Sequence, residues 1–221
     1  PIEINQIIRS KRKTLSLTVR NDGSLIVRAP LRTSETAIHQ FVQEHSSWVE
    51  KQRNRIRSTG LPTPRQYVPG EMFMYLGNSH PLEIVKNQMK PLVLDGNFKL
   101  AESAQSRAAE FFEHWYREQA RRILSKRVKF HAEQNGFQYK GIKITSAHTR
   151  WGSCSAKGSL SFSWRLIMTP LEQVDYVVVH ELVHTIVQDH SKVFWKKVEN
   201  ILPDFNERRM WLRRNGLLLM A

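Results

Sequence analysis

The spacing of apolar and polar residues predicts an amino-terminal region built mainly of short strands. Alternating apolar positions on both sides of a turn favour a β-hairpin over residues 6–30. Apolar residues then recur at helical spacing from Ser34 to Arg57, which predicts one long helix. Three further stretches, rich in apolar residues, predict short strands at Met72–Leu76, Pro81–Val85 and Leu92–Leu100, the last with a turn at Asp95-Gly96-Asn97.

The second half of the chain begins with the pattern of a long helix. Apolar residues at helical spacing run over 104–134, and Gly136 supplies the left-handed residue that commonly ends a helix. A strand is predicted at Ile142–Ala147. A second one is predicted at Leu160–Leu166, where apolar residues alternate with polar ones so that one face is buried.

A buried helix is predicted to follow these strands. Thr169-Pro170-Leu171-Glu172 combines an N-cap residue, a proline at the first helical position and a glutamate three residues after the cap. The helix is rich in valine, and so many β-branched side chains are tolerated only where a helix is deeply buried. Two more helices are predicted at Ser191–Ile201 and Asn206–Arg214.

These elements together predict an α+β fold in two parts. Residues 1–100 form a β-rich amino-terminal region with one long helix. Residues 101–221 form a second domain in which the buried helix packs on a small sheet.

Composition adds a strong positive charge to this picture. The 221 residues include 34 Lys+Arg and 20 Asp+Glu, which gives a formal net charge of +14, while 40% hydrophobic residues are ordinary for a folded globular protein. Such an excess attracts polyanions such as nucleic acid, nucleotides or acidic protein. The alternative is that the charge only keeps the protein in solution.

Three absences in the sequence predict a cytoplasmic protein without a membrane partner. There is no run of eighteen apolar residues, and the first residues lack the basic start and apolar stretch of a secretory signal. The single cysteine, Cys154, cannot form an internal disulfide, which fits a reducing compartment.

The chemistry is predicted to lie in the buried helix, at His180-Glu181-Leu182-Val183-His184. Residues four apart share a helix face, so His180 and His184 can chelate one metal ion while Glu181 lies beside it. His190 is a plausible third ligand from beyond the helix end. Zinc suits imidazole nitrogens and lowers the pKa of a bound water, whose proton Glu181 can accept. The alternative is two histidines hydrogen-bonded in a core with Glu181 at the surface.

The residues of this motif and of a second one carry a family resemblance. The chain resembles the YgjP-like metallopeptidase family of metal-dependent hydrolases, related to SprT-like proteins. The likeness rests on His180–His184 with Asp189-His190-Ser191 and Phe194-Trp195, and on Arg150–Ser155 with Trp164-Arg165-Leu166 and Pro170. Weaker marks in the amino-terminal half are Gly70-Glu71, Tyr75-Leu76-Gly77 and Trp115-Tyr116. Asp189 departs from the family, where asparagine is more usual.

This resemblance implies a fold and a ligand set. It implies a minimal zincin in which the HExxH helix packs on a small sheet, with His180, His184 and His190 as zinc ligands and Glu181 as the catalytic base. Phe194 and Trp195 are expected to pack behind His190.

Other residues are candidates for supporting roles. Arg150 and Ser153, together with Arg165, are candidate ligands for an anionic part of a substrate, although a structural role for the loop 150–155 remains open. Asp175 and Glu199 are candidate hydrogen-bond acceptors for a ligating imidazole. A nucleophilic role for Cys154 is disfavoured because the HExxH motif already supplies the chemistry.

The sequence leaves the substrate open among three hypotheses. The first is a zinc-dependent metallopeptidase. The second is a nucleoside triphosphate pyrophosphatase or phosphohydrolase that uses the same site, suggested by the basic charge. The third is a nucleic-acid-associated, SprT-like protease, although no nucleic-acid-binding module is recognisable. Ni²⁺, Co²⁺ or Mn²⁺ could replace Zn²⁺.

Overall fold

The computed structural model describes residues 2–20, 22–59 and 65–220. Contacts divide the chain into two compact units, Pro1–Thr63 and Pro64–Met220. The division therefore falls far before the predicted boundary at residue 100. The physical reason is that the strands of residues 72–101 share a core with the long helix that follows them.

The first unit is a three-stranded sheet followed by two helices. Its elements are β1 (Gln6–Ser10), β2 (Ser16–Val19), β3 (Leu25–Pro30), α1 (Glu35–Glu44) and α2 (Ser46–Thr59). The predicted hairpin is confirmed as the antiparallel pair β2 and β3, and β1 adds to the other side of β3 in parallel. The core of this unit comprises Leu25, Val27, Ala29, Ile38, Val42 and Val49.

The single helix predicted for 34–57 is two helices. The break lies at His45, whose backbone N–H bonds to the carbonyls of Phe41 and Val42 and whose ring Nδ1 lies 2.8 Å from the carbonyl of Phe41. The chain becomes helical again immediately afterwards, as Val49 N–H donates to the His45 carbonyl. The break interrupts the axis without changing the apolar spacing, so the sequence pattern did not reveal it.

The second unit begins with a four-stranded sheet and a long helix. The strands are β4 (Met72–Tyr75), β5 (Asn78–Val85), β6 (Leu92–Asp95) and β7 (Asn97–Ala101), in the order β4-β5-β7-β6. A 3₁₀ turn then leads into α3 (Ala108–Asn135), which Gly136 ends in the left-handed conformation at φ 69°. Phe73 and Phe98 of the sheet pack on Phe112 of α3, and their ring centroids lie 4.2 and 5.1 Å, respectively, from that of Phe112.

A smaller sheet is formed by strands that follow α3 in the sequence. It comprises β8 (Gly141–Thr145), β9 (Gly152–Cys154) and β10 (Ser159–Ser163) in the order β8-β10-β9. The strand predicted to reach Leu166 ends at Ser163, and Trp164–Met168 form a 3₁₀ turn. The alternation of apolar and polar residues predicted a longer strand than the structure has. Arg165 is buried along with its apolar neighbours, so this stretch has no polar face.

Three helices complete the second unit: α4 (Leu171–Val183), α5 (Lys192–Ile201) and α6 (Phe205–Met220). The α4 helix packs against β9, α3, α5 and α6, and the prediction that it is deeply buried is confirmed. The predicted cap is wrong, because the Thr169 hydroxyl donates to the carbonyl of Leu166 at 2.7 Å instead of capping the helix. Among the described residues, no helix combines the length and the apolar surface needed to cross a bilayer.

An ion-pair cluster fastens α4 to α3. The Arg127 guanidinium donates to both carboxylate oxygens of Asp175, at 2.5 and 2.8 Å, and His131 Nε2 lies 3.3 Å from the same carboxylate. Burial alone would raise the pKa of Asp175, but hydrogen bonds from His131 and Arg127 and the positive charge of Arg127 outweigh it and lower the pKa. The cluster therefore fixes the helix that carries the HExxH motif.

We expect Asp175→Asn to lower the free energy of unfolding by about 1–3 kcal/mol at pH 7, since it leaves Arg127 without its carboxylate. Urea unfolding would measure this change. The wild-type carboxylate contributes this stability above the pKa of an unfolded aspartate and loses it as the pH falls through its lowered folded value. The difference between wild type and variant should therefore shrink in acid.

The control for this measurement is Glu199→Gln on α5. Glu199 pairs with Lys196 at 2.9 Å on the surface, and such exposed pairs contribute little. Equal effects of the two substitutions would contradict a stabilising role for the α3–α4 cluster.

Candidate metal centre

Three histidine side chains converge at the end of α4. His180 and His184 lie one turn apart, and His190 comes from the segment between α4 and α5. The Nε2 atom of His190 lies 3.0 Å from that of His180 and 3.2 Å from that of His184. Within the described ranges, this is the only group of three or more histidine, cysteine or acidic residues placed to hold a metal ion.

Neighbouring groups orient the three rings. His184 Nδ1 lies 3.0 Å from the carbonyl of Val187, so a proton on Nδ1 would be held there and would leave the Nε2 lone pair facing the other histidines. The Phe194 ring contacts all three imidazoles, with centroids 4.4 to 4.9 Å away. Trp195 stacks on His190 at 5.6 Å. The expectation that Phe194 and Trp195 pack behind His190 is thus confirmed.

The chemistry of this group fits a divalent transition metal. Burial, reinforced by the charges of His184 and His190, lowers the pKa of His180 to about 3, and burial also lowers the pKa of His190. Neutral imidazoles have a lone pair for a metal, whereas imidazolium ions have none. Three imidazole nitrogens with space for a further ligand are the donor set that zinc takes in catalytic sites.

Glu181 lies on the same helix, with its carboxyl group held against β9. The residue is only 5% exposed, and burial raises its pKa to about 7 despite the opposing charge of Arg150. A Cβ atom added to Gly152 would lie 2.7 Å from both Cγ and Oε1 of Glu181. The absence of a side chain at Gly152 therefore makes room for this carboxyl group.

A cleft of about 550 Å³ opens beside Glu181 and His180. Its lining residues, both apolar and charged, come from β9, α4, α6 and the residue before β9. They are Trp151, Gly152, Tyr176, Val177, His180, Glu181, Arg209, Leu212 and Arg213. Burial raises the pKa of Tyr176 to about 12, so its hydroxyl keeps its proton.

The three predicted substrate residues lie outside this lining. Arg150 is exposed, yet its charge acts on Glu181. Ser153 pairs with Ser161 across β9 and β10. The Arg165 guanidinium lies 4.2 Å from the centre of the Trp164 ring and 3.3 Å from the ring nitrogen of His148. The substrate roles of these residues therefore remain predictions.

The other predicted supporting residues have different partners. Asp175 is engaged by Arg127 and His131, and Glu199 by Lys196, so neither is bonded to a ligating imidazole. The Cys154 thiol donates to the carbonyl of Ser155, and burial and the charge of Glu181 raise its pKa. A raised pKa keeps Cys154 protonated and unreactive.

Sequence reasoning missed the cleft residues contributed by α6. Arg209 and Arg213 are four residues apart, so they share a helix face, but Arg208 and Arg214 of the same helix have the same side chain. Only the packing of α6 against α4 distinguishes the first pair. Tyr176 precedes His180 by four residues and could have been placed near the site from that spacing alone.

The α+β fold and the histidine cluster at the end of its buried helix are those of a peptidase-type, metal-dependent hydrolase. A family comparison matches residues 13–215 to the YgjP-like metallopeptidase domain, and the chain belongs to that family. The family implies a divalent metal. No curated protein shows significant similarity to the chain. Among solved structures, the metallopeptidase zymogen of Pyrococcus abyssi abylysin is 20% identical with a TM-score of 0.39, over 42% of this chain and 95% of that one.

We expect His190→Ala to weaken zinc binding by more than about 100-fold, because it removes one of three convergent nitrogens. Competition with a zinc-chelating dye would measure this affinity. His114→Ala is the matched control, since His114 lies exposed on α3 beside Glu118. Unchanged zinc affinity in His190→Ala would mean that another group completes the site.

Proposed function

We propose that this protein is a zinc-dependent peptidase in which His180, His184 and His190 hold the metal and Glu181 is the general base. The observation that carries this proposal is the convergence of three Nε2 atoms, two of the distances being 3.0 and 3.2 Å, together with the buried carboxyl group of Glu181, which follows His180 on α4. Membership of a metallopeptidase family supports the peptide as substrate.

Glu181 would accept and then donate the proton that is transferred in the reaction. A zinc ion held by the three imidazoles would supply a Lewis acid that polarises water and the scissile carbonyl. One Glu181 carboxylate oxygen would take the proton from the attacking water and pass it to the departing amine nitrogen.

The edge of the small sheet offers a place for an extended peptide. β9 is an edge strand that pairs with β10 on one side only, and Gly152 of β9 lines the cleft beside Glu181. Exposed strand edges bind extended peptides through main-chain hydrogen bonds. A peptide bound there would bring its backbone alongside Glu181 and the histidines.

Nucleotide hydrolysis is the second candidate function. It is favoured by the two arginines, Arg209 and Arg213, that line the cleft, since arginine recognises phosphate as well as carboxylate. The third hypothesis, a protease that acts at nucleic acid, remains a prediction based on the net charge of +14.

We expect Glu181→Gln to lower turnover by at least about 100-fold while zinc affinity stays unchanged, because the amide cannot accept the proton. The assay follows cleavage of a labelled, unstructured protein by the zinc-loaded full chain. Phosphate and pyrophosphate release from nucleoside triphosphates is followed in parallel. Phosphate or pyrophosphate release that depends on Glu181, without peptide cleavage, would reject the peptidase in favour of the second candidate.

We expect Gly152→Ala to lower kcat by about tenfold to a hundredfold, because its Cβ would displace the Glu181 carboxyl group. Zinc content should stay at the wild-type level, because the atoms nearest to this Cβ all belong to Glu181. Gly141→Ala on β8 is the control, since a Cβ there meets no atom within 4 Å. An unchanged kcat in Gly152→Ala would show that the position of Glu181 is not critical.

A further inference from the structure

One wall of the cleft beside the histidines is cationic, and neither the family nor the proposed mechanism accounts for it. Arg209, Leu212 and Arg213 follow the three- and four-residue spacing of one helix face on α6. They face Tyr176, Val177, His180 and Glu181 of α4 across the cleft. Two arginines thus line the same cleft as the residues assigned to catalysis.

Arg209 is held close to the metal ligands by a stack of rings. Its guanidinium carbon lies 4.7 Å from the centre of the Trp195 ring, and the same ring stacks on His190 at 5.6 Å and 25°. Phe205 stacks against Trp195 at 5.5 Å and restrains it further. One indole ring therefore connects Arg209 to His190, and the charge of Arg209 contributes to the lowered pKa values of His180 and His190.

The lining of the cleft contains two arginines, Arg209 and Arg213, and a single carboxyl group. Glu181 is the one carboxyl group in the lining, and the mechanism requires it for proton transfer. On the same helix, by contrast, Arg208 is engaged by Asp204 at 2.9 Å and by the carbonyl of Glu172. In the part of the chain that the structure describes, no carboxylate forms an ion pair with Arg209. A bound divalent ion would add further positive charge.

We propose that Arg209 and Arg213 form a carboxylate-binding subsite, so that the enzyme selects peptides with an acidic group next to the cleaved bond. This inference rests on the proposed peptidase function. The planar guanidinium donates paired hydrogen bonds that match a carboxylate. Trp151, Val177 and Leu212 supply apolar surface in the same cleft for the rest of a peptide. The carboxylate can come from an acidic side chain or from the end of a chain.

Binding of three short peptides to the zinc-loaded Glu181→Gln full chain tests the subsite without turnover. Two are blocked at both ends and differ only in a central glutamate or glutamine among alanines. The third contains only alanine and has a free carboxyl end. Tryptophan fluorescence reports binding, since Trp151 lines the cleft. We expect the glutamate peptide or the free-ended peptide to bind about tenfold or more tightly than the glutamine peptide, and the tighter of the two identifies the source of the carboxylate.

Arginine variants made in the same background separate recognition from structural support. Arg209→Gln and Arg213→Gln should each reduce the preference for the carboxylate to about twofold or less. Arg214→Gln, on the same helix but outside the cleft lining, should leave it unchanged. If Arg209→Gln loosened Trp195, the affinity for all three peptides would fall equally. The ratio of affinities between peptides therefore reports the loss of the charge alone. Arg209→Lys should restore part of the ratio.

The outcomes also separate this inference from the function on which it rests. Binding of all three peptides with equal affinity, together with cleavage by the wild type, would overturn the subsite and leave the peptidase intact. A preference that survives in Arg209→Gln and Arg213→Gln would also overturn it. If no peptide is bound or cleaved while a nucleoside triphosphate is hydrolysed, both the subsite and the peptidase are overturned.

Discussion

The burial of α4 is the constraint on which the rest of the site depends. The helix carries His180 and Glu181 into the protein together with a row of valines, and nine of its thirteen residues are buried. Burying a carboxyl group among apolar side chains is unfavourable unless a charge or a metal lies near it. The Arg127–Asp175 pair holds α4 against α3, β9 covers Glu181, and α5 and α6 place aromatic and cationic groups around the histidines.

Much of the fold follows from local patterns that the sequence displays directly. The β2–β3 hairpin and α3 with its terminal Gly136 were predictable because turn residues and apolar spacing act over a few neighbours. The early end of β10 was not predictable, because Arg165 looks polar in the sequence but is buried against Trp164. The two-unit division depends on contacts between Phe73, Phe98 and Phe112, which no local pattern records.

The candidate site also contains residues that local sequence patterns predict and residues that only the fold brings together. His180, Glu181 and His184 were predictable because a four-residue spacing on a helix fixes their geometry. His190 lies beyond the helix, so the family resemblance rather than helical spacing pointed to it, and the path of the chain places its Nε2 atom 3.0 Å from that of His180. Arg209 reaches the site through the packing of α6, whereas Arg165, which looked suited to an anion, is occupied by Trp164 and His148.

The contact of Phe194 with all three imidazoles has a consequence for metal exchange. The phenyl ring is fully buried and the rings of His180, His184 and His190 rest against it, while the Val187 carbonyl lies within hydrogen-bond distance of His184 Nδ1. The three imidazoles are therefore preorganised to hold a metal ion, and the entropic cost of bringing them together is met during folding rather than during binding. Removing and restoring the ion should leave the shape of the protein unchanged, unlike in small zinc domains that unfold when they lose their metal.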